Sequence, residues 1–211
     1  NGTNYQEKYD PTITSYDYDS PLSECGDVTE KYHAVRRVLA KYMDIGPLEL
    51  PAPIPKRSYG TVELTERAGL FAALDRISAP VERANPVPME QVGQSYGFIL
   101  YTTRISGPRA ESPLVMTDVH DRALVFVDGV YQGTVERWNP EGEVAFAVPA
   151  EGAEIRILVE NMGRVNYGPH LRDPKGITEG VRHGRQFLFG WTIHPLPLDD
   201  LSGLAFAQAD A

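Results

Sequence analysis

A chain of 211 residues, 42% hydrophobic and 23% charged, has the composition of a folded globular protein, with length for one ordinary domain and a substantial appendage. Its net charge of −9, without any Lys/Arg-rich run, would be repelled by phosphate backbones and anionic lipid, which argues against nucleic acid and membrane partners. The single cysteine, Cys25, excludes an internal disulfide framework, and no stretch is apolar enough to span a bilayer.

In chain order, residues 1–26 are polar and aromatic with no helical or strand period, and they read as a loop cut from something longer. A helix is predicted over residues 27–42. Asp27 is placed as its N-cap with Glu30 completing a capping box, and Val28, Tyr32, Val35, Val38, Leu39 and Tyr42 form one apolar stripe. Such a stripe needs a neighbour. Residues 44–58 hold Pro47, Pro51, Pro53 and Pro55 and read as a semi-rigid linker. From Tyr59 the pattern changes to short β runs, with strands predicted over 60–65, 96–103, 114–119, 123–127, 130–138, 144–148, 155–159 and 186–193. Asp128-Gly129 between two of them is a favoured two-residue hairpin turn. No second helix is predicted, so residues 59–198 read as a β-sandwich or jelly roll, followed by a polar tail over 199–211.

Few motifs carry chemistry. Gly93-Gln94-Ser95-Tyr96-Gly97 fits the nucleophile elbow of hydrolases, but the β-prone run after it offers no helix for a serine to enter. Asp17-Tyr18-Asp19 supplies two carboxylates without a third ligand, and the five histidines show no zinc spacing, so neither metal nor cofactor is expected. No spacing singles out the pair of carboxylates that a glycosidase requires. Glu160, Asn161, Gly163, Arg164, Asn166 and Tyr167 lie within a few residues after an apolar strand and read as a tightly hydrogen-bonded turn, with Glu160 the nearest carboxylate for Arg164. Tyr16 and Tyr18 stand in a polar loop among carboxylates, the residue types a sugar site uses.

Taken together, several long stretches resemble glycoside hydrolase family 35, the β-galactosidases. Asn1 to Asn4, Thr14 to Glu24, Gly26-Asp27 and Thr29 to Tyr32 are similar to the end of that family's catalytic barrel. Gln94 to Tyr101, Val119 to Ala123, Val127 to Gly129, Glu160 to Gly168 and Trp191 to Ile193 are similar to its first β domain. The resemblance implies a mainly β chain: residues 1–43 as the last loop and helix of a (β/α)₈ barrel, then a galactose-binding-like jelly roll, then a second β domain beyond about residue 200. It implies retaining hydrolysis of terminal β-galactosides by the intact parent, with both catalytic glutamates on earlier barrel strands and so outside this chain. Tyr18, supported by Tyr16, would touch galactose there. The chain alone is then expected to be a non-catalytic fragment whose sandwich gives structural support; the alternative is a galactoside-binding module. Its partners would be the substrate of the parent, the barrel and the second β domain. Assembly with further copies stays open, as does compartment, with a bacterial cytoplasm preferred over secretion or the lysosome.

Overall fold

A computed structural model describes residues 2–5 and 8–13 as backbone and residues 18–139, 144–164 and 171–208 in full. The chain forms two compact units, one of Ile13–Leu64 and one of Asn1–Thr12 with Thr65–Ala211.

The smaller unit is built on α1, Glu30–Leu39. The helix is shorter than the periodicity predicts, and its N-cap is Thr29, without a side-chain cap. Asp27 is occupied elsewhere: its carboxylate accepts the Ile54 amide at 2.8 Å and pairs with Lys56. The Thr29 hydroxyl donates back to the Ser20 carbonyl at 2.8 Å, which anchors the chain ahead of the helix. No residue of α1 is buried, and Val35, Val38, Leu39 and Tyr42 of the predicted stripe are exposed. Residues 44–64 hold no regular element; the strand predicted over 60–65 does not form there, and Val62 and Leu64 stand out in solvent.

In the larger unit, β1 (Gly2–Tyr5) and β2 (Lys8–Ile13) make a two-stranded sheet where the sequence showed no period. The elements that follow are β3 (Glu66–Arg67), α2 (Leu70–Ile77), β4 (Val81–Arg83), a 3₁₀ turn at Met89–Val92, β5 (Phe98–Ile105), β6 (Arg109–His120), β7 (Arg122–Val127) and β8 (Val130–Glu136). Then come β9 (Val144–Val148), β10 (Ala153–Glu160), β11 (Gly176–His183), β12 (Gln186–Phe187), β13 (Trp191–Leu196) and β14 (Ala207–Gln208), the last paired with β3. Two antiparallel sheets result: six strands in the order β4-β13-β5-β10-β7-β8 and four in the order β12-β11-β6-β9. Strand 186–193 of the sequence reading is two strands in two sheets, because Gly190 at φ +74 turns the chain between them.

Alternation along the strands builds the core. In β10 the residues Ile155, Ile157 and Val159 point inward, and Val144, Phe146 and Val148 of β9 do so from the facing sheet. Between the sheets Tyr101 meets Trp191 edge to face, centroids 6.3 Å apart. The buried Tyr101 hydroxyl donates to the Val87 carbonyl and accepts the Ile177 amide, and burial pushes its ionisation well above the ordinary phenol value. Gly176 makes room for that ring: a Cβ there would sit 2.3 Å from the hydroxyl. The outer face of the six-stranded sheet is apolar at Leu100, Leu158 and Leu196. The helix α2, absent from the sequence reading, covers it with Leu70, Phe71, Leu74 and Ile77.

Candidate functional site

Two places hold the residues singled out from sequence. In the smaller unit Tyr18 is 79% exposed beside Asp19, whose carboxylate pairs with Lys31 at 3.1 Å. Tyr16 and Asp17 lie outside the described residues, as do Asn166 and Tyr167 of the second group. Among the described residues no group of three acidic, histidine or cysteine side chains is placed to hold a metal.

The second place is one end of the sandwich, where the corner between β6 and β7 meets the chain leaving β10 and the segment entering β11. Asp121 sits at the corner and fastens all three. Its amide donates to the Glu160 carbonyl at 3.0 Å, and its carbonyl accepts the Arg137 amide at 2.8 Å. Its carboxylate accepts the Met162 amide at 2.9 Å and the Lys175 ammonium at 2.8 and 2.9 Å. Lys175 is only 1% exposed, and its ammonium also lies 2.7 Å from Asp173. Arg137 reaches the same two carboxylates, at 3.3 Å to Asp121 and 2.8 Å to Asp173. Burying charge is tolerable only when it is paired and hydrogen-bonded, and each of these groups is. Burial alone would raise the Asp173 carboxyl, but the hydrogen bond and charge of Lys175, then Arg137 and His120, hold it below the usual carboxylate range.

A belt of polar contacts surrounds this cluster. Arg164 is not paired with Glu160. Its guanidinium donates to the Ser95 carbonyl at 2.8 and 3.1 Å, to the Asp173 carbonyl at 3.0 Å and to Glu90 at 2.5 Å. Glu160 instead takes Arg122, its cross-strand neighbour, at 2.5 and 3.1 Å. Asn161 closes the turn, donating from its side chain to the Ser95 carbonyl and accepting the Gly163 amide, both at 3.0 Å. Ser95 contributes its carbonyl here and leads into β5 rather than a helix. Asp121, Asp173, Lys175 and Arg137 were not singled out from sequence as site residues; the signal that could have found them is Asp121 as a one-residue corner between two strands, His120 and Arg122 on either side, without a turn glycine beside it.

Beside the cluster is a concavity of about 240 Å³ lined by Met116, Asp118, Val119, Val135, Glu136 and Arg137. Asp118 at its rim has φ +58, and its carboxylate accepts the Thr178 hydroxyl at 2.6 Å.

These features define a β-sandwich whose loops are stapled at one end by buried charge. Residues 86–197, over half the chain, match the family of the first all-beta domain of β-galactosidase, and the chain belongs to that family. Residues 1–42 match glycosyl hydrolases family 35. The chain is 42% identical over 208 residues to human β-galactosidase, covering 95% of this chain and 30% of the relative. It is 40% identical over 203 residues to β-galactosidase of Xanthomonas manihotis, covering 94% and 33%. Beta-galactosidase 8 of Oryza sativa subsp. japonica is 39% identical over 216 residues, covering 96% and 32%. The chain thus spans about a third of the length of these curated relatives.

Proposed function

We propose that this chain is a non-catalytic part of a retaining β-galactosidase, with its sandwich acting as structural support for the catalytic barrel. In this reading residues 1–43 close the barrel, 44–58 link it to the sandwich, and 199–211 lead to a second β domain. The whole enzyme hydrolyses terminal β-galactosides through two carboxylates roughly 5 Å apart and a glycosyl-enzyme intermediate. Both carboxylates would come from the barrel, and Tyr18 would line the galactose pocket beside them, with Tyr16 supporting it.

The observation that carries the structural role is where the sandwich spends its charge. Asp121, Asp173 and Lys175 are buried and satisfied by one another, and Arg164 and Asn161 by backbone carbonyls, so these groups hold loops together instead of facing a ligand. A second reading, a galactoside-binding module, is favoured by the concavity beside Asp118 and Glu136, whose carboxylates suit sugar hydroxyls. Its volume of about 240 Å³ falls below the roughly 300 Å³ at which ligand pockets begin. Titration with lactose, followed by backbone amide shifts, separates the two. Structural support is expected to give no saturable change, whereas saturable shifts confined to residues 116–119 and 135–137 would establish the module instead.

A further inference from the structure

Tyr18 is 79% exposed, so its ring takes its direction from the backbone that carries it rather than from packing. That backbone closes into a tight loop over residues 19–29. Asp19 stands in the left-handed region at φ +48, which Asp tolerates better than most residues, and its carboxylate pairs with Lys31 of α1 at 3.1 Å. Leu22 and Val28 face each other as an antiparallel bridge, and the Ser23 amide donates to the Asp27 carbonyl at 2.9 Å.

The loop is shut by Thr29. Its amide donates to the Pro21 carbonyl at 3.1 Å, and its hydroxyl is aimed at the Ser20 and Pro21 carbonyls at 2.8 and 3.1 Å. Thr29 is also the N-cap of α1, the position where a threonine hydroxyl ordinarily accepts an amide of the first helical turn. It makes no such bond. The helix forgoes its cap, and the hydroxyl holds the chain two and three residues after Tyr18 instead. The other fastener, Asp19 with Lys31, has side chains 87% and 45% exposed, and an ion pair in water constrains little. Thr29 is therefore the principal fastener.

We propose that Thr29 is a positioning residue for substrate binding: its hydroxyl fixes the backbone at Ser20 and Pro21, and through it the angle at which Tyr18 presents its ring to the galactosyl group. This rests on the reading of Tyr18 as part of the galactose pocket. Thr29 itself does not touch substrate. Misplacing a group at the reacting centre by about 1 Å can cost up to roughly 100-fold in rate, so the loss of one aiming hydroxyl is visible in kinetics.

A double-mutant cycle in the whole enzyme, read with p-nitrophenyl β-galactoside, tests this. Thr29→Val removes the hydroxyl at nearly constant shape and should lower kcat/KM about fivefold, whereas Thr29→Ser keeps the hydroxyl and should stay within about twofold of wild type. In a Tyr18→Ala background the same Thr29→Val change should cost less than about twofold, because the ring it aims is gone. A residue that merely supports the fold would lower the rate by the same factor in both backgrounds, and that result would overturn the proposal. So would wild-type kinetics in Thr29→Val, or a Thr29→Ser enzyme as slow as Thr29→Val. Unchanged kinetics in Tyr18→Ala alone would instead remove the pocket reading, and this inference with it. Should Thr29→Val fail to fold, Thr29→Ala completes the same cycle.

Discussion

Replacing Lys175 by Met tests the buried cluster most sharply. The side chain is 1% exposed, and its ammonium makes three contacts of 2.7–2.9 Å to Asp121 and Asp173. Met keeps most of the volume, so the loss is electrostatic. It leaves two carboxylates, 2% and 6% exposed, to share Arg137, one backbone amide from Met162 and the His120 ring 3.3 Å from Asp173. Removing one partner of a buried pair costs about 3–5 kcal/mol because the survivor stays buried without compensation. With a urea slope of about 2 kcal/mol/M, the midpoint should fall by about 2 M. Trp191, fully buried between the sheets, reports the transition by fluorescence. Lys31→Met is the control: its partner Asp19 is 87% exposed, so the cost should stay below about 1 kcal/mol. A Lys175→Met midpoint within about 0.5 M of wild type would mean that the buried carboxylates do not need the ammonium.

Three further outcomes follow from other contacts. Burial, reinforced by Arg156 and opposed by Asp75 and Glu82, lowers the pKa of His194, whose Nδ1 is buried with no hydrogen-bond partner among the described residues. Its folded value lies below the ordinary value of about 6.5, so stability is full above that pH and is lost as pH falls, and His194→Leu should flatten that acid limb in urea unfolding. Identical acid limbs in the two proteins would count against it. Gly176→Ala, at φ +105 and with its Cβ meeting the Tyr101 hydroxyl, should lower stability by about 2 kcal/mol or more, read by the same assay; an unchanged midpoint would mean the ring is free to move. In the whole enzyme, Tyr18→Ala should lower kcat/KM for β-galactosides about tenfold while leaving the Trp191 transition in place, and unchanged kinetics would remove Tyr18 from the substrate pocket.

What could be read from sequence was local. Asp128-Gly129 takes left-handed angles of φ +48 and +81 and pairs Val127 with Val130, as a two-residue hairpin turn demands. Strand β9 coincides with its predicted bounds because Val144, Phe146 and Val148 alternate without interruption. Strand β11 was missed because a register shift between Ile177 and Gly180 breaks the period of two on which a strand is recognised. The helix α2 offered no start signal: Gly69 caps it without a side-chain bond, and its eight residues are helical by lying on Leu100 and Leu196. The charged cluster was the least legible part. Lys175 and Asp121 are 54 positions apart, and an isolated Lys in a polar stretch ordinarily reads as solvated. Only the fold brings opposite charges close enough to offset its burial.

If this chain supports catalysis without performing it, as proposed, the purified 211-residue chain should release no nitrophenol of its own from p-nitrophenyl β-galactoside. The rate should equal that of a heat-killed control at every substrate concentration. A rate above that control which saturates with substrate would show that the chain is itself a catalyst.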